Sequence, residues 1–361
     1  MNILFISASI GATDGSSKQL AMTANAMAHY GHRCFIYIFD ESVCGQLLTE
    51  NVIFLQETHP VYKRWQQWIF VPGRLRRIIK QNDINVIIGW RTNGGCYAVL
   101  SAIGTSAKTV FSERSDPYLE DQSWIHKVVG AIAGYANGGV FQTGKARDYY
   151  KYLAKRACVI PNPFQQPSHN KPILDWEMRL DKIVYVGRLR IKQKRQDLLL
   201  KAFKLIHEQM PSYSLHIYGE GADEHILKEA AKELRDFIFF HGAVLNVSNQ
   251  IRDAKLLLLT SDYEGIPNVV IEAFCVGVPV IATDCSPGGM HVLIDDGING
   301  FISPFRDYED LAKKSIMLLK NSDMAKHFID NSKKKLSEFD PTTIFEQWDL
   351  YIKKIANSNN Q

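Results

Sequence analysis

Several features that would assign this chain to a common class are missing from its sequence. No window approaches the ~20 consecutive apolar residues that a helix needs to cross a bilayer. The first residues, Met1 to Ile6, have no basic lead and their apolar run stops at Ser7, so we expect a first strand rather than a signal peptide. Any membrane contact is therefore expected to be peripheral.

The six cysteines are scattered, without a Cys-x-x-Cys pair or a metal-ligand spacing. In a chain of this length they are typical of reduced, mostly buried thiols in a cytoplasmic protein. No Asp-x-Asp triplet is present that would carry Mg²⁺ or Mn²⁺ at a pyrophosphate. The net charge of +4 is too small to indicate nucleic-acid binding, and no nucleic-acid motif is recognisable.

The sequence does contain an alternation of strand-like apolar runs and helical stretches. Its 361 residues exceed one ordinary core and suggest two domains. The predicted strands are 3–6, 34–39, 85–90, 108–112, 183–187, 214–219, 237–241, 256–259 and 278–282, and the longer predicted helices are 16–30, 61–81, 197–210 and 224–235. This order favours two doubly wound parallel sheets. The loop after the first predicted strand lacks the full Gly-x-Gly-x-x-Gly motif, so an NAD-binding site is not supported.

The most informative stretch runs from Ser261 to Gly277, between two of the predicted strands. Pro267 suits the first position of a helix, so Glu264 is expected on the preceding loop and Glu272 about one turn into the helix. The helix N-terminus suits a phosphate, while the flanking carboxylates suit hydroxyl groups on either side of it. A nucleotide sugar has this layout.

The segment Glu-Gly-Ile-Pro-Asn-Val-Val-Ile-Glu-Ala resembles the signature of the retaining GT-B glycosyltransferases of family 4, the glycosyl transferases group 1. The resemblance implies that Glu264 orients the donor sugar and that Glu272 holds the ribose. It also implies that the segment between them lines the donor site, with Gly265, Ile266, Asn268 and Val269. Metal-free transfer with retention of anomeric configuration is expected.

The resemblance implies a fold of two doubly wound Rossmann-like domains that face each other across a cleft. Residues 1–165 would bind the acceptor, 166–178 would form the linker, and 179–340 would bind the nucleotide sugar. Residues 341–361 would form a helix that crosses back to the first domain.

A second motif, Tyr185-Val-Gly-Arg-Leu-Arg-Ile-Lys-Gln-Lys-Arg-Gln-Asp-Leu-Leu, resembles the family's pyrophosphate-binding turn. Arg188 and Lys194 would stabilise the charge that develops on the departing diphosphate. Lys194 matches by its spacing to Asp197, but the loop is about one residue longer than usual, so Lys192 is an alternative. Gly219 matches the turn near the nucleotide base.

The N-terminal half of the chain departs from the family's sequence pattern. Arg114 occupies about the position where many members carry a His, and we interpret it as a contact to a substrate phosphate. A structural salt bridge with Glu113 or Asp116 is the alternative. His126 is expected on a helix surface. In the first loop, Gly11 is a candidate contact to the acceptor or the donor phosphates, and a plain tight turn explains it equally well.

A basic and aromatic region lies at 61–81, which we predict to be helical and broken at Pro72-Gly73. A peripheral membrane contact through residues 61–80, on the inner face of the plasma membrane, is one interpretation. The alternative is a helix packed on the sheet with a solvated basic face. The six basic residues are Lys63, Arg64, Arg74, Arg76, Arg77 and Lys80, interleaved with Trp65, Trp68, Ile69 and Phe70.

The resemblance implies transfer of a hexosyl or N-acetylhexosaminyl group from a UDP-sugar to a saccharide acceptor, carried on a lipid, in surface polysaccharide synthesis. A sugar-nucleotide 2-epimerase has the same fold but is expected to lack this Glu-x7-Glu pair. A non-catalytic nucleotide-sugar-binding protein is expected to have lost Arg188, Lys194 or one of the two Glu residues. The sequence does not indicate the sugar, the accepting hydroxyl or the oligomeric state.

Overall fold

The computed structural model describes residues 1–10, 15–39, 47–55, 64–119, 123–163 and 172–358. The chain divides into two compact units. Unit 1 comprises Met1–Asn162 and Thr342–Gln361, and unit 2 comprises Pro163–Pro341. Among the described residues, no helix has the length and apolar content needed to cross a membrane.

Unit 1 is built on a parallel sheet, which has seven strands in the part of the chain that the structure describes. They are β1 (Asn2–Ser7), β2 (Arg33–Ile38), β3 (Val52–Leu55), β4 (Val86–Trp90), β5 (Lys108–Glu113), β6 (Gly138–Phe141) and β7 (Ala157–Val159). Their order is β3-β2-β1-β4-β5-β6-β7. Because β1 pairs with β2 on one side and with β4 on the other, the strand order reverses between β1 and β4.

Helices cover both faces of this sheet. They are α1 (Gly15–His29), α2 (Arg64–Gln81), α3 (Arg91–Ala102), α4 (Trp124–Ala133), α5 (Gly144–Tyr149) and α6 (Lys151–Ala154). Side chains alternate along β1, so that Ile3 and Phe5 share a core with α1, whereas Leu4 and Ile6 share a core with α2 and α3. Burial on both faces explains why the strands are continuously apolar.

Unit 2 repeats this arrangement with six parallel strands among the described residues. They are β8 (Lys182–Val186), β9 (Ser214–Tyr218), β10 (Ile238–Phe240), β11 (Leu256–Leu259), β12 (Val280–Thr283) and β13 (Gly300–Ser303). Their order is β10-β9-β8-β11-β12-β13, which reverses between β8 and β11. The predicted pair of doubly wound Rossmann-like domains is confirmed in the two units.

The helices of unit 2 pack on both sides of its sheet. They are α7 (Ile191–Lys194), α8 (Gln196–Gln209), α9 (Glu224–Ala230), α10 (Val247–Ile251), α11 (Asn268–Cys275), α12 (Met290–Leu293), α13 (Tyr308–Leu319) and α14 (Ser322–Leu336). Single 3₁₀ turns occur at Trp176–Met178, Lys232–Leu234 and Ser337–Phe339. The predicted helix at 224–235 is shorter than expected, because α9 ends at Ala230 and a 3₁₀ turn follows.

Residues 172–178, part of the predicted linker 166–178, pack against unit 2. Trp176 is 5% exposed and belongs to the core of that unit. The guanidinium of Arg179 donates to the carbonyl oxygens of Leu174, Arg252, Ala254 and Val276, at 2.9–3.2 Å. Desolvation of this buried group lowers the pKa of Arg179 to about 10. The Arg179 guanidinium therefore anchors the first described residues of unit 2 to the rest of that unit.

Helix α2 does not break at Pro72-Gly73, so that prediction was wrong. The helix runs without interruption from Arg64 to Gln81, with Pro72 inside it. Proline removes one backbone donor, but Val71, Leu75 and Ile79 are buried against the sheet and hold the helix in place. Residues 61–63 lie outside the described residues.

The last helix, α15 (Pro341–Ala356), packs on unit 1. Trp348 is 1% exposed and stacks on Trp90 of β4, with ring centroids 6.1 Å apart. Asp349 accepts a hydrogen bond from His32 Nε2 at 2.6 Å. The far end of the chain thus completes the core of the first unit.

We predict that Trp348→Ala destabilises the protein by about 3–5 kcal/mol, because it removes a buried ring and leaves a cavity. Chemical denaturation followed by tryptophan fluorescence measures this change. The matched control is Leu350→Ala on the same helix, whose side chain is 67% exposed and whose loss is expected to change the free energy of unfolding by about 0.5 kcal/mol or less. Equal effects of the two substitutions would contradict the packing of α15.

Candidate functional site

The carboxyl ends of β8 and β11 meet where the strand order of unit 2 reverses, which is where open α/β sheets bind ligands. Lys194 follows β8 and Glu264 follows β11. The Nζ of Lys194 forms an ion pair with Oε1 of Glu264, although 70 residues separate them in sequence. The structure therefore brings together two of the predicted catalytic residues.

The loop that carries Lys194 is attached to the end of β11 through its backbone. The hydroxyl of Thr260 donates to the carbonyl oxygens of Lys194 and Arg195, each at 2.9 Å. The backbone N–H of Asp262 donates to the carbonyl oxygen of Gln193 at 2.8 Å. These bonds fix the backbone from which the Lys194 ammonium projects.

The carboxylate of Glu264 is oriented by two donors. Ser261 Oγ donates to Oε1 at 2.9 Å, and the ammonium of Lys194 reaches the same oxygen. The side chain is 12% exposed, and its backbone N–H donates to the carbonyl of Ser286 at 2.9 Å. Among the described residues, both of these side-chain donors use Oε1.

Arg188 lies in the turn that follows β8. Its carbonyl oxygen accepts from Nε2 of the buried Gln196 at 2.8 Å, so the backbone of the turn is fixed, while its side chain is exposed. Lys192, the alternative to Lys194, is also exposed. Lys194, not Lys192, is the lysine whose ammonium reaches Glu264.

Two glycines allow the loops around this site to pack against each other. A Cβ on Gly219, whose φ is +134°, would overlap the carbonyl oxygen of Gly187 in the turn before Arg188. A Cβ on Gly289 would overlap the carbonyl oxygen of Gly265. Larger residues at either position would push these loops apart. The contact of Gly219 with a nucleotide base stays a prediction.

The other residues predicted to bind the sugar donor lie on α11 and in the segment just before it. Pro267 is the N-cap of α11 rather than its first helical residue, so the predicted position was wrong by one residue. Glu272 lies one turn into the helix and is half-buried. Ile266 is buried, whereas Asn268 and Val269 are partly exposed in the first turn.

Sequence reasoning missed an arginine–carboxylate cluster beside the site. Asp262, with a side chain that is 7% exposed, accepts from Nε and Nη2 of Arg306 at 2.8 and 2.7 Å. Nη1 of Arg195 lies 3.6 Å from the same carboxylate, and Arg195 also forms a two-point contact with Asp197. The partners come from different loops, so no local motif signals them. The cluster ties the loop after β13 to the loop after β11.

In unit 1, Arg114 is buried rather than presented on an open surface. It is 9% exposed, and its guanidinium lies 4.6 Å from the ring of Trp90 and 5.2 Å from that of Trp348. Its hydrogen bonds go to Ser112 Oγ, the carbonyl of Ile160 and Asn162 Oδ1. Desolvation lowers the pKa of Arg114 to about 9. The guanidinium is therefore engaged inside unit 1, and its contact with a substrate phosphate stays a prediction.

Glu113 does not form the alternative salt bridge to the Arg114 side chain. Its carboxylate is 1% exposed and accepts the backbone N–H of Arg114 at 2.9 Å and the hydroxyl of Thr92 at 2.6 Å. Nε2 of His126 lies 3.4 Å from the same hydroxyl, and the His126 side chain is half-buried on α4. Gly11 lies outside the described residues.

A family model described as glycosyl transferases group 1 matches residues 169–335. The Campylobacter jejuni GalNAc-alpha-(1->4)-GalNAc-alpha-(1->3)-diNAcBac-PP-undecaprenol alpha-1,4-N-acetyl-D-galactosaminyltransferase is 25% identical over 372 aligned positions, which cover 99% of this chain and 100% of that protein. The structure of Anabaena HepE with UDP and glucose has a TM-score of 0.83 at 18% identity and covers 97% of this chain and 99% of its own. The lipopolysaccharide outer core galactosyltransferase WaaB, in apo form, has a TM-score of 0.76 at 19% identity, with coverage of 98% and 99%.

The two Rossmann-like units, together with these relatives, define a glycosyltransferase of the GT-B fold. Within it, residues 169–335 match the family model of the glycosyl transferases group 1. The predicted fold and enzyme class are confirmed. The roles of the individual site residues stay predictions.

We predict that Ser261→Ala lowers kcat of sugar transfer about tenfold while KM changes little, because Glu264 loses a donor that orients its carboxylate. Steady-state kinetics measure both constants. The matched control is Ser315→Ala, since Ser315 is also fully buried in unit 2 but its hydroxyl donates to the carbonyl of Leu311 within α13. A similar loss of kcat in both variants would show that Ser261 has no specific positioning role.

Proposed function

We propose that this glycosyltransferase transfers a hexosyl or N-acetylhexosaminyl group from a UDP-sugar to a lipid-linked saccharide acceptor in the synthesis of a surface polysaccharide. The reaction proceeds with retention of anomeric configuration and without a metal ion. The observation that carries the proposal is the Lys194–Glu264 pair at the switch point of unit 2, beside the exposed Arg188.

The charges at this switch point suit a nucleotide diphosphate linked to a sugar. Arg188 and Lys194 supply cations for the two phosphates, and Lys194 is oriented by the loop contacts described above. Glu264 contributes an acceptor for sugar hydroxyls through Oε2. Glu272, one turn into α11, is assigned to the ribose. The UDP of the HepE complex supports UDP as the nucleotide.

Cations at this position also explain the chemistry. Glycosyl transfer expels a diphosphate, and the negative charge on its oxygens increases in the transition state. Fixed cations that face those oxygens stabilise the transition state more than the ground state and raise the rate. Among the described residues, no cluster of three or more His, Cys, Asp or Glu residues is arranged to bind a metal ion. Arg188 and Lys194 are assigned the role that a metal would otherwise have.

The names of the relatives support the acceptor class. The Campylobacter jejuni protein is named for an acceptor carried on undecaprenyl pyrophosphate, and WaaB is named as an outer core lipopolysaccharide enzyme. The first name gives a saccharide on a lipid carrier as the acceptor, and the second refers to a saccharide that is part of a lipopolysaccharide. A peripheral position at the inner face of the plasma membrane follows from such an acceptor.

Arg188→Ala is expected to lower kcat by about 10²-fold or more, because one cation is removed from the developing diphosphate charge. Lys194→Ala is expected to lower it similarly, and Lys192→Ala much less. Transfer from a radiolabelled UDP-sugar measures the rates, and circular dichroism verifies folding. If Lys192→Ala lowered kcat more than Lys194→Ala did, the contact to the diphosphate would belong to Lys192.

The control for Arg188→Ala is Arg190→Ala in the same turn, where the side chain is also exposed. Near-wild-type turnover of the Arg188 variant would contradict its assignment. The anomeric proton of the product, observed by NMR, is expected to show the configuration of the donor. An inverted product would contradict retention.

UDP is expected to raise the melting temperature, and GDP and ADP are not. A ligand at about a hundred times its Kd adds roughly 2.7 kcal/mol of apparent stability. The UDP shift is expected to be the same with EDTA, because no metal bridges the diphosphate to the protein. Loss of the shift with EDTA would contradict the metal-free site, and a shift with GDP alone would contradict the UDP assignment.

A further inference from the structure

Asp262 is the residue at which the loops around the candidate site meet. Its carboxylate accepts from Nε and Nη2 of Arg306, in the loop after β13, at 2.8 and 2.7 Å. Its backbone N–H donates to the carbonyl of Gln193, in the segment after β8, at 2.8 Å, and its carbonyl accepts from the N–H of Ser286, after β12, at 3.0 Å. Asp262 itself follows β11. The segments that follow four strands of unit 2 are therefore connected through one residue.

The arginines around Asp262 have an unusual backbone conformation. Among the described residues, four that are not glycine have a positive φ, namely Asp83, Arg91, Arg195 and Arg306, at 47°, 61°, 50° and 62°. Two of the four, Arg195 and Arg306, reach the Asp262 carboxylate with their guanidiniums, at 3.6 and 2.7 Å. A residue with a Cβ adopts this left-handed conformation at a cost in free energy that glycine would avoid. Such strain is typically retained at functional sites.

Stability alone does not explain this cluster. The side chain of Asp262 is 7% exposed, so its carboxylate has lost most of the water that would solvate the charge. The side chain of Arg306 is 52% exposed, so water partly screens its attraction to Asp262. The strained backbone, the desolvated carboxylate and the screened cation each reduce what the contact contributes to folding. The arrangement is better explained by the residues that it holds in place.

The cluster lies next to both members of the Lys194–Glu264 pair. Asp262 lies two residues before Glu264 and directly after Ser261, whose hydroxyl donates to Oε1 of Glu264 at 2.9 Å. Arg195 directly follows Lys194 and is the single residue between α7 and α8. A shift of the Asp262 loop would therefore move Glu264, its donor Ser261 and the backbone next to Lys194.

We propose that Arg306 is a positioning residue for sugar transfer, which acts through Asp262 to hold Lys194 and Glu264 in register with each other. The inference rests on the proposed function, in which this pair faces the diphosphate and the sugar of the donor. Arg306 holds Asp262 with two donors in a planar fork, so it restrains the orientation of the loop as well as its position. Arg306 itself contacts neither the donor nor the acceptor. Its loss is expected to act on the transition state, because a small displacement of a fixed cation weakens its interaction with the developing charge.

The test uses Arg306→Gly, which removes the guanidinium and at the same time relieves the left-handed strain of the backbone. Release of UDP is measured from UDP-glucose, UDP-galactose and their N-acetyl forms, with water as the acceptor, and kcat and KM are determined for the donor that is turned over fastest. Arg306→Gly is expected to lower kcat about tenfold, while KM and the melting temperature change little. Arg306→Lys is expected to recover part of kcat, since an ammonium provides a cation for Asp262 without the fork.

Asp83→Gly is the matched control. Asp83 is exposed, also has a positive φ, and precedes β4 at the amino ends of the strands of unit 1. This variant makes the same change of backbone away from the site, so kcat is expected to stay at the wild-type value.

A double-mutant cycle tests whether Arg306 acts through Asp262. Asp262→Asn is expected to lower kcat by itself, and addition of Arg306→Gly is expected to lower it little further, because both substitutions disrupt the same contact. If the two effects on kcat multiply, Arg306 does not act through Asp262.

Three further results would overturn the proposal: a wild-type kcat in Arg306→Gly, a raised KM without a fall in kcat, or a loss of kcat that is accompanied by a large fall in melting temperature. The last would assign Arg306 to folding. Lys194→Ala, measured in parallel, separates this inference from the proposed function. If Lys194→Ala loses activity and Arg306→Gly does not, only the role of Arg306 is contradicted. If wild type releases no UDP from these donors, the proposed function and the positioning role are contradicted together.

Discussion

The ion pair between Lys194 and Glu264 is the interaction on which the arrangement of the candidate site in unit 2 depends. Its partners leave neighbouring strands on the two sides of a topological reversal, so the pair joins the first half of the unit to the second. Both side chains are mostly buried, and removing either one would leave an uncompensated charge. Buried ion pairs contribute little net stability, so the pair is better explained by ligand binding than by folding.

A cation and a carboxylate that neutralise each other can approach closely without a ligand. In the proposed function, a bound diphosphate would offer the ammonium stronger acceptors, while Ser261 would keep its contact with Oε1 of Glu264. Asp262, held by Arg306, keeps the same loop in position from the other side. The site is thus largely formed in advance, which reduces the reorganisation needed in the transition state.

The strands that could be predicted well from the sequence are those with uninterrupted apolar runs, such as Leu256–Leu259. Burial on both faces of the sheet requires apolar residues at every position of such a strand. Strand β6 was missed because it begins with Gly138 and Gly139, where a Cβ would press on Ile355 of α15 and Leu153 of α6. The exposure of the large apolar side chains of α4 was also beyond prediction, since periodicity identifies an apolar stripe but not the side on which the core lies. Arg114 and Asp262 show the same limit for the sites: their partners depend on tertiary contacts between distant segments.

Unit 1 is discontinuous in sequence, and this has a consequence for biosynthesis. Its last helix, α15, follows the whole of unit 2, so the ribosome has already translated residues 163–341 before Trp348 reaches Trp90 and Arg114. Until then the nascent first unit exposes an apolar surface that is available to chaperones, whereas unit 2 is continuous and has all of its own strands. The core of unit 1 therefore closes only after α15 has been translated, rather than when the first 162 residues emerge from the ribosome.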